Sequence, residues 1–144
     1  MTPYTLTKVR DQLKRDEGWE NFPYKDSLGF LTIGVGFNLE TGLDNEEIEW
    51  ILSHRLTTYY HNLLAAFPVV GTLDEARQGA LLNMAYQMGI PRLKGFKKMW
   101  DSIERGLYEQ ASLHGLDSKW AKQTPARARR VMQQLRTGEW VQDG

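Results

Sequence analysis

A chain of 144 residues, 41% apolar and 11% aromatic, is long enough to bury a real core and too apolar to be disordered. Its 18 basic and 18 acidic residues cancel, so no global field recruits nucleic acid or an acidic substrate. The absence of cysteine excludes a disulfide framework and thiolate zinc sites, and no stretch approaches the ~20 apolar residues of a membrane span.

The N-terminus is charged from Lys8 onward and lacks an apolar run of the signal-peptide kind. This predicts a chain made in the cytoplasm, without stable membrane insertion. Leu6, Val9 and Leu13 fall on one face at helical spacing, and Gly18 is a natural stop, so the first element is a helix over about 5–17. Glu17 then sits in the last turn, where the macrodipole disfavours a carboxylate, so helix stability is a poor reason for it.

Residues 18–42 change character. "FPYKDSLGFLTIGVGFNL" mixes β-formers with Pro23, the turn "KDSLG" and repeated glycines, which predicts a small antiparallel sheet with tight turns. Asp26 or Ser27 can fold its side chain back on the turn backbone, and Gly34 and Gly36 mark positive φ or close backbone approach.

From about 44 to 66 the chain reads as a long connecting helix. Asp44 is the candidate cap, and Ile48, Ile51, Leu52, Leu56, Tyr59, Tyr60 and Leu63 form a wide apolar stripe. His54 and His61, seven apart, can share a helix face, but no carboxylates complete a metal site, and no metal is expected. A helical lobe over about 72–144 follows. Ala76, Ala80, Leu81, Met84, Ala85 and Met88 face inward on its first helix, which Gly89 stops. Shorter helices are predicted over about 96–104, 108–114 and 125–136, the last with Thr124 as cap and Pro125 in its first turn.

Charge is polarised locally. Residues 16–49 hold nine acids against Lys25 alone, and residues 119–136 hold six bases and no acid. Two solvated faces of opposite sign explain this; a functional reading needs the segments to meet across a cleft.

Hydrolysis of a glycosidic bond needs a carboxylic acid to protonate the leaving oxygen and, in an inverting enzyme, a second carboxylate to activate water from the other face. Glu17 and Asp26 are plausible partners, though spacing alone leaves such a pair open. The register "DE-x8-D-x2-G-x2-TIG-x-G" over residues 16–36 resembles the active-site signature of the phage-type lysozymes, the T4-type endolysin family. Glu17, Asp26 and Thr32 keep the family's Glu-x8-Asp-x5-Thr intervals. "ALLNMAYQMG" (80–89) and "KWAKQTPARARRVMQQLRTGEW" (119–140) resemble its central helix and C-terminal elements. The matches cover about residues 9–39 and 73–140.

The resemblance implies a single lysozyme-like catalytic domain over 1–144: an α+β, mostly helical, two-lobed fold with a small antiparallel β-sheet lobe, a long connecting helix and an all-α C-terminal lobe. It implies an N-acetylmuramidase that cleaves the β-1,4 bond between N-acetylmuramic acid and N-acetylglucosamine in peptidoglycan, without a cofactor or metal. Glu17 is then the general acid. Asp26 is the carboxylate that orients water or stabilises the transition state, Thr32 binds that water, and Arg127 matches the arginine that pairs with the family's acid. Asn38, Tyr86, Gln87, Met99 and His114 are the substrate-contact candidates; Tyr86 and Met99 can equally be lobe core.

Two departures stand out. Phe37 replaces the family's usual histidine, and the stretch 41–71 is shorter by about a score of residues, which predicts a reduced β lobe. The implied role is that of a monomeric phage or prophage endolysin. It waits in the host cytoplasm, with no nucleic-acid partner, until a separate holin opens the way to the wall. A lytic transglycosylase needs the Glu but not Asp26 and Thr32. The remaining rival is a non-catalytic module that binds an anionic polymer through "PARARRVMQQLR".

Overall fold

Thr2 starts the first helix by accepting the Thr5 N–H on its side-chain oxygen, with Pro3 in the first turn where no N–H is needed. In a computed structural model, described for residues 1–141, this helix α1 spans Pro3–Glu17. Gly18 at φ 85° ends it, and its N–H bonds to Lys14 O at 3.1 Å. Lys14 and Arg15 in the last turn suit the negative end of the helix dipole. The apolar face of this helix is not buried: Leu6 and Leu13 are exposed and Val9 is only half-buried.

Three short antiparallel strands follow in the order β1-β2-β3: β1 Glu20–Lys25, β2 Leu31–Gly34 and β3 Phe37–Asn38. The β1–β2 register is broken between Glu20 and Tyr24, the interval that contains Pro23, which has no N–H to give to a ladder. Beyond it, Tyr24 pairs with Thr32 and Lys25 with Leu31, while on the other edge Thr32 pairs with Asn38.

Helix α2, Asn45–Ala66, opens on a capping box. Asp44 Oδ1 accepts the Glu47 N–H at 2.8 Å and Glu47 Oε1 accepts the Asp44 N–H at 2.9 Å. The chain divides into two compact units, Met1–Trp50 and Ile51 onward, and the division falls inside this helix. Of its predicted apolar stripe only Leu63 is buried; Ile48, Ile51 and Leu52 are exposed. Periodicity identifies a helix face but not what covers it.

The second unit holds the core. Helices α3 Glu75–Met88, α4 Ile90–Leu93, α5 Lys97–Glu104, α6 Tyr108–Leu116, α7 Lys119–Gln123 and α8 Pro125–Thr137 follow a short 3₁₀ turn at Pro68–Thr72. Leu63, Leu81, Met84, Leu93, Met99, Ile103, Met132 and Leu135 are fully buried together. Phe67 stacks on Trp100 with ring centroids 3.8 Å apart. Asp74 caps α3, whose inward face is as expected except that Met88 is only half-buried. Helices α4 and α7, four and five residues long, are too short to leave a periodic signature.

The α8 cap differs from the expectation. Thr124 gives no side-chain acceptor; its hydroxyl donates back to Trp120 O at 3.1 Å, because α7 ends directly before it. The other end of α8 is closed by Arg77 from α3. Its Nε donates to Leu135 O at 2.7 Å and its Nη2 to Arg136 O at 2.9 Å, while its guanidinium lies 3.7 Å from the Tyr108 ring centroid. Among the described residues no helix is long and apolar enough to cross a membrane.

Candidate active site

Glu17 ends α1 and its carboxyl lies against the turn between β2 and β3. A Cβ built on Gly36 would sit 2.8 Å from Glu17 Oε2 and 3.2 Å from Glu17 Cβ, and Gly36 has φ +68°. Only glycine allows both the backbone conformation and the approach. Gly34, at φ +70°, does the same for Phe37, whose ring would meet an added Cβ at 2.6 Å.

Asp26 follows β1 and folds back on the hairpin turn. Its Oδ1 accepts the N–H groups of Leu28 at 2.9 Å and of Phe30 at 2.8 Å. Of the two turn residues that sequence left open, Asp26 is therefore the one used. Thr32 lies in the middle strand and is 3% exposed; its hydroxyl donates to Phe30 O at 2.9 Å. That carbonyl also takes the Asp26 N–H at 2.9 Å. One residue's backbone thus ties Asp26 and Thr32 together. With its proton committed to Phe30, the Thr32 oxygen keeps acceptor lone pairs, and Asp26 keeps Oδ2 outside the turn bonds.

Cross-strand pairing puts Tyr24, Thr32 and Asn38 in one row on one face of the sheet. Asn38 is half-buried and partly committed, since its Oδ1 accepts the Glu40 N–H at 2.9 Å to start a 3₁₀ turn, leaving its amide N–H groups. Tyr24 was not legible as a site neighbour, because strand register is invisible before folding.

In the second unit, Gln87, Met99 and His114 line one cleft of about 820 Å³, together with Phe96 and Trp120. Met99 is 1% exposed and belongs to the core, so it reaches the cleft only as part of its wall. Gln87 Oε1 accepts the Trp120 indole N–H at 2.8 Å. Tyr86, 38% exposed, is not among that cleft's residues and leans on Tyr59, ring centroids 5.5 Å apart. Arg127 donates Nε and Nη2 to Asn83 Oδ1 at 3.0 and 2.9 Å. Sequence reasoning missed Asn83, although its spacing from Tyr86 and Gln87, three and four residues, places all three on one helix face.

Residues 14–137 match the model of the phage lysozyme family. The chain belongs to that family. It is a lysozyme-type glycoside hydrolase that degrades peptidoglycan. Among relatives, it is 28% identical to each of two probable T4-type lysozymes, 1 and 2, of Dictyostelium discoideum, covering 92% of this chain and 96% of theirs. Those alignments run over 163 residues, longer than the chain itself, so this chain carries gaps against both. It is also 31% identical to the pre-baseplate central spike protein Gp5 of Enterobacteria phage T4, over 90% of this chain and 28% of that protein.

Proposed function

We propose that the chain acts as one catalytic domain, an N-acetylmuramidase hydrolysing the β-1,4 bond between N-acetylmuramic acid and N-acetylglucosamine with inversion. The observation that carries this reading is the shared anchor at Phe30. Its N–H fixes the Asp26 carboxylate, and its carbonyl takes both the Asp26 N–H and the Thr32 hydroxyl. A water donating one hydrogen to Asp26 Oδ2 and the other to Thr32 Oγ1 turns its lone pair toward a sugar C1. Glu17 gives its proton to the glycosidic oxygen as the C1–O bond breaks; the water adds to C1 from the opposite face and loses a proton to Asp26. A new reducing end results, inverted at C1. Arg127 supports the acid, and Asn38, Tyr86, Gln87 and His114 contact the glycan, while Met99 backs the cleft wall from the core.

The biological role that follows is lysis of a bacterial host at the end of a phage cycle. The monomeric enzyme is held in the host cytoplasm until a holin lets it reach the wall. The experiment is NMR of freshly cleaved glycan strands together with mass spectrometry of the products. Inversion gives the α-anomer of the new reducing end before mutarotation. Products ending in 1,6-anhydro sugars would replace this reading with a lytic transglycosylase.

A further inference from the structure

Tyr59 and Tyr86 form an aromatic pair in which one ring is held by the core and the other stands in solvent. Tyr59 lies on α2 one turn before the fully buried Leu63 and, like Tyr60, packs against the core. The Tyr60 hydroxyl donates to Gln78 Oε1 at 3.0 Å, and the Gln78 amide donates to Leu73 O at 2.9 Å, so α2 is pinned to α3 beside the pair. Gln78, Leu82 and Tyr86 follow at intervals of four along α3 and share the face that meets Tyr60 and Tyr59. Tyr86 itself is 38% exposed and lies outside the core cluster. Among the described residues its one aromatic neighbour is Tyr59, with ring centroids 5.5 Å apart and planes tilted by 56°. Rings at that distance and tilt attract edge to face. Three residues before Tyr86, Asn83 holds Arg127, so the exposed ring stands one helical turn from that polar pair.

We propose that Tyr59 is a positioning residue: it holds the Tyr86 ring in the orientation that stacks on the apolar C–H face of a glycan sugar. This deepens the reading that the chain cleaves peptidoglycan and that Tyr86 contacts the glycan. Tyr59 touches neither the sugar nor the reacting atoms. An exposed tyrosine with no such neighbour samples several rotamers, and binding must then freeze it. Tyr59 removes that freedom in advance. The ring is equally ordered in the bound substrate and in the transition state, so the effect falls on KM and leaves kcat alone.

The test measures KM and kcat of the full chain on soluble glycan strands for wild type, Tyr59→Leu, Tyr59→Phe, Tyr86→Ala and Tyr59→Leu/Tyr86→Ala. Freezing one side chain on binding is worth about a threefold change in affinity. Tyr59→Leu is expected to raise KM about threefold with kcat unchanged, while Tyr59→Phe, which keeps the ring, restores the wild-type KM. Tyr86→Ala raises KM further, and adding Tyr59→Leu to it changes nothing more, because Tyr59 acts only through the Tyr86 ring. KM does not depend on the amount of folded enzyme, so a partial loss of fold in a variant leaves this readout intact. Additive losses in the double variant, a fall in kcat in place of the rise in KM, or an unchanged KM in Tyr59→Leu overturns the proposal. A wild-type KM in Tyr86→Ala overturns it together with the reading of Tyr86 as a glycan contact. A wild type that cleaves no strands instead sinks the muramidase reading, and the proposal with it.

Discussion

Gly36→Ala separates the geometry of the acid from the stability of the fold. The new methyl would occupy a left-handed backbone position at φ +68° and meet Glu17 Oε2 at 2.8 Å, Cδ at 3.1 Å and Cβ at 3.2 Å. The carboxyl end can swing away, but the Glu17 Cβ is fixed to α1, so relief comes by moving the acid. The backbone conformation alone costs about 1–2 kcal/mol for a residue with a Cβ, which lowers the melting temperature by about 3–8 °C in a domain of this size. Displacing a catalytic group by about 1 Å costs roughly a hundredfold in rate. Gly34→Ala is the control. It carries the same kind of strain at φ +70°, but its methyl meets the Phe37 ring and not Glu17. Thermal unfolding followed by circular dichroism, with turbidity loss of purified cell walls at a temperature where both variants are folded, gives the two readouts. The expectation is similar destabilisation of both and a rate collapse in Gly36→Ala alone. Equal activity in the two variants would refute the claim that Gly36 seats the acid.

Glu17→Gln should fold and melt like wild type yet leave cell walls intact, and a variant that still clears them would remove Glu17 from the chemistry. Thr32→Val keeps the shape of a buried side chain but loses the hydroxyl. About 1 kcal/mol of stability should go, while the turnover rate falls about a hundredfold as the water loses its acceptor; unchanged turnover would exclude Thr32 from positioning water. Arg77→Met removes the donors to Leu135 O and Arg136 O and the contact with Tyr108. It should cost about 2–3 kcal/mol, read by denaturant unfolding, with normal activity per folded molecule. A midpoint equal to that of wild type would show that the α8 terminus does not depend on this clamp.

Much of this protein was determined by local chemistry and therefore legible in sequence. Asp44 and the glycines after Glu17 and Met88 set helix ends through bonds to residues three or four away. The Asp26 turn is likewise built from residues 26 to 30 alone. The proposed catalytic residues Glu17, Asp26 and Thr32 came from a family resemblance carried within one short stretch of chain. What only the tertiary structure decided depends on partners distant in sequence. Periodicity marked the faces of α1 and α2 as apolar but could not say that Leu6, Leu13, Ile48 and Ile51 stay exposed. Nor could it pair Tyr24 and Asn38 with Thr32, since register is set when strands meet. Bonds such as Arg127 to Asn83 and Trp120 to Gln87 join side chains 44 and 33 residues apart. The cleft lined by Gln87, Arg92, Met99, His114 and Trp120 likewise gathers residues of five separate helices. Backbone hydrogen bonds act over a few residues and leave their trace in spacing, whereas packing and long-range charge act over folded distance and leave none.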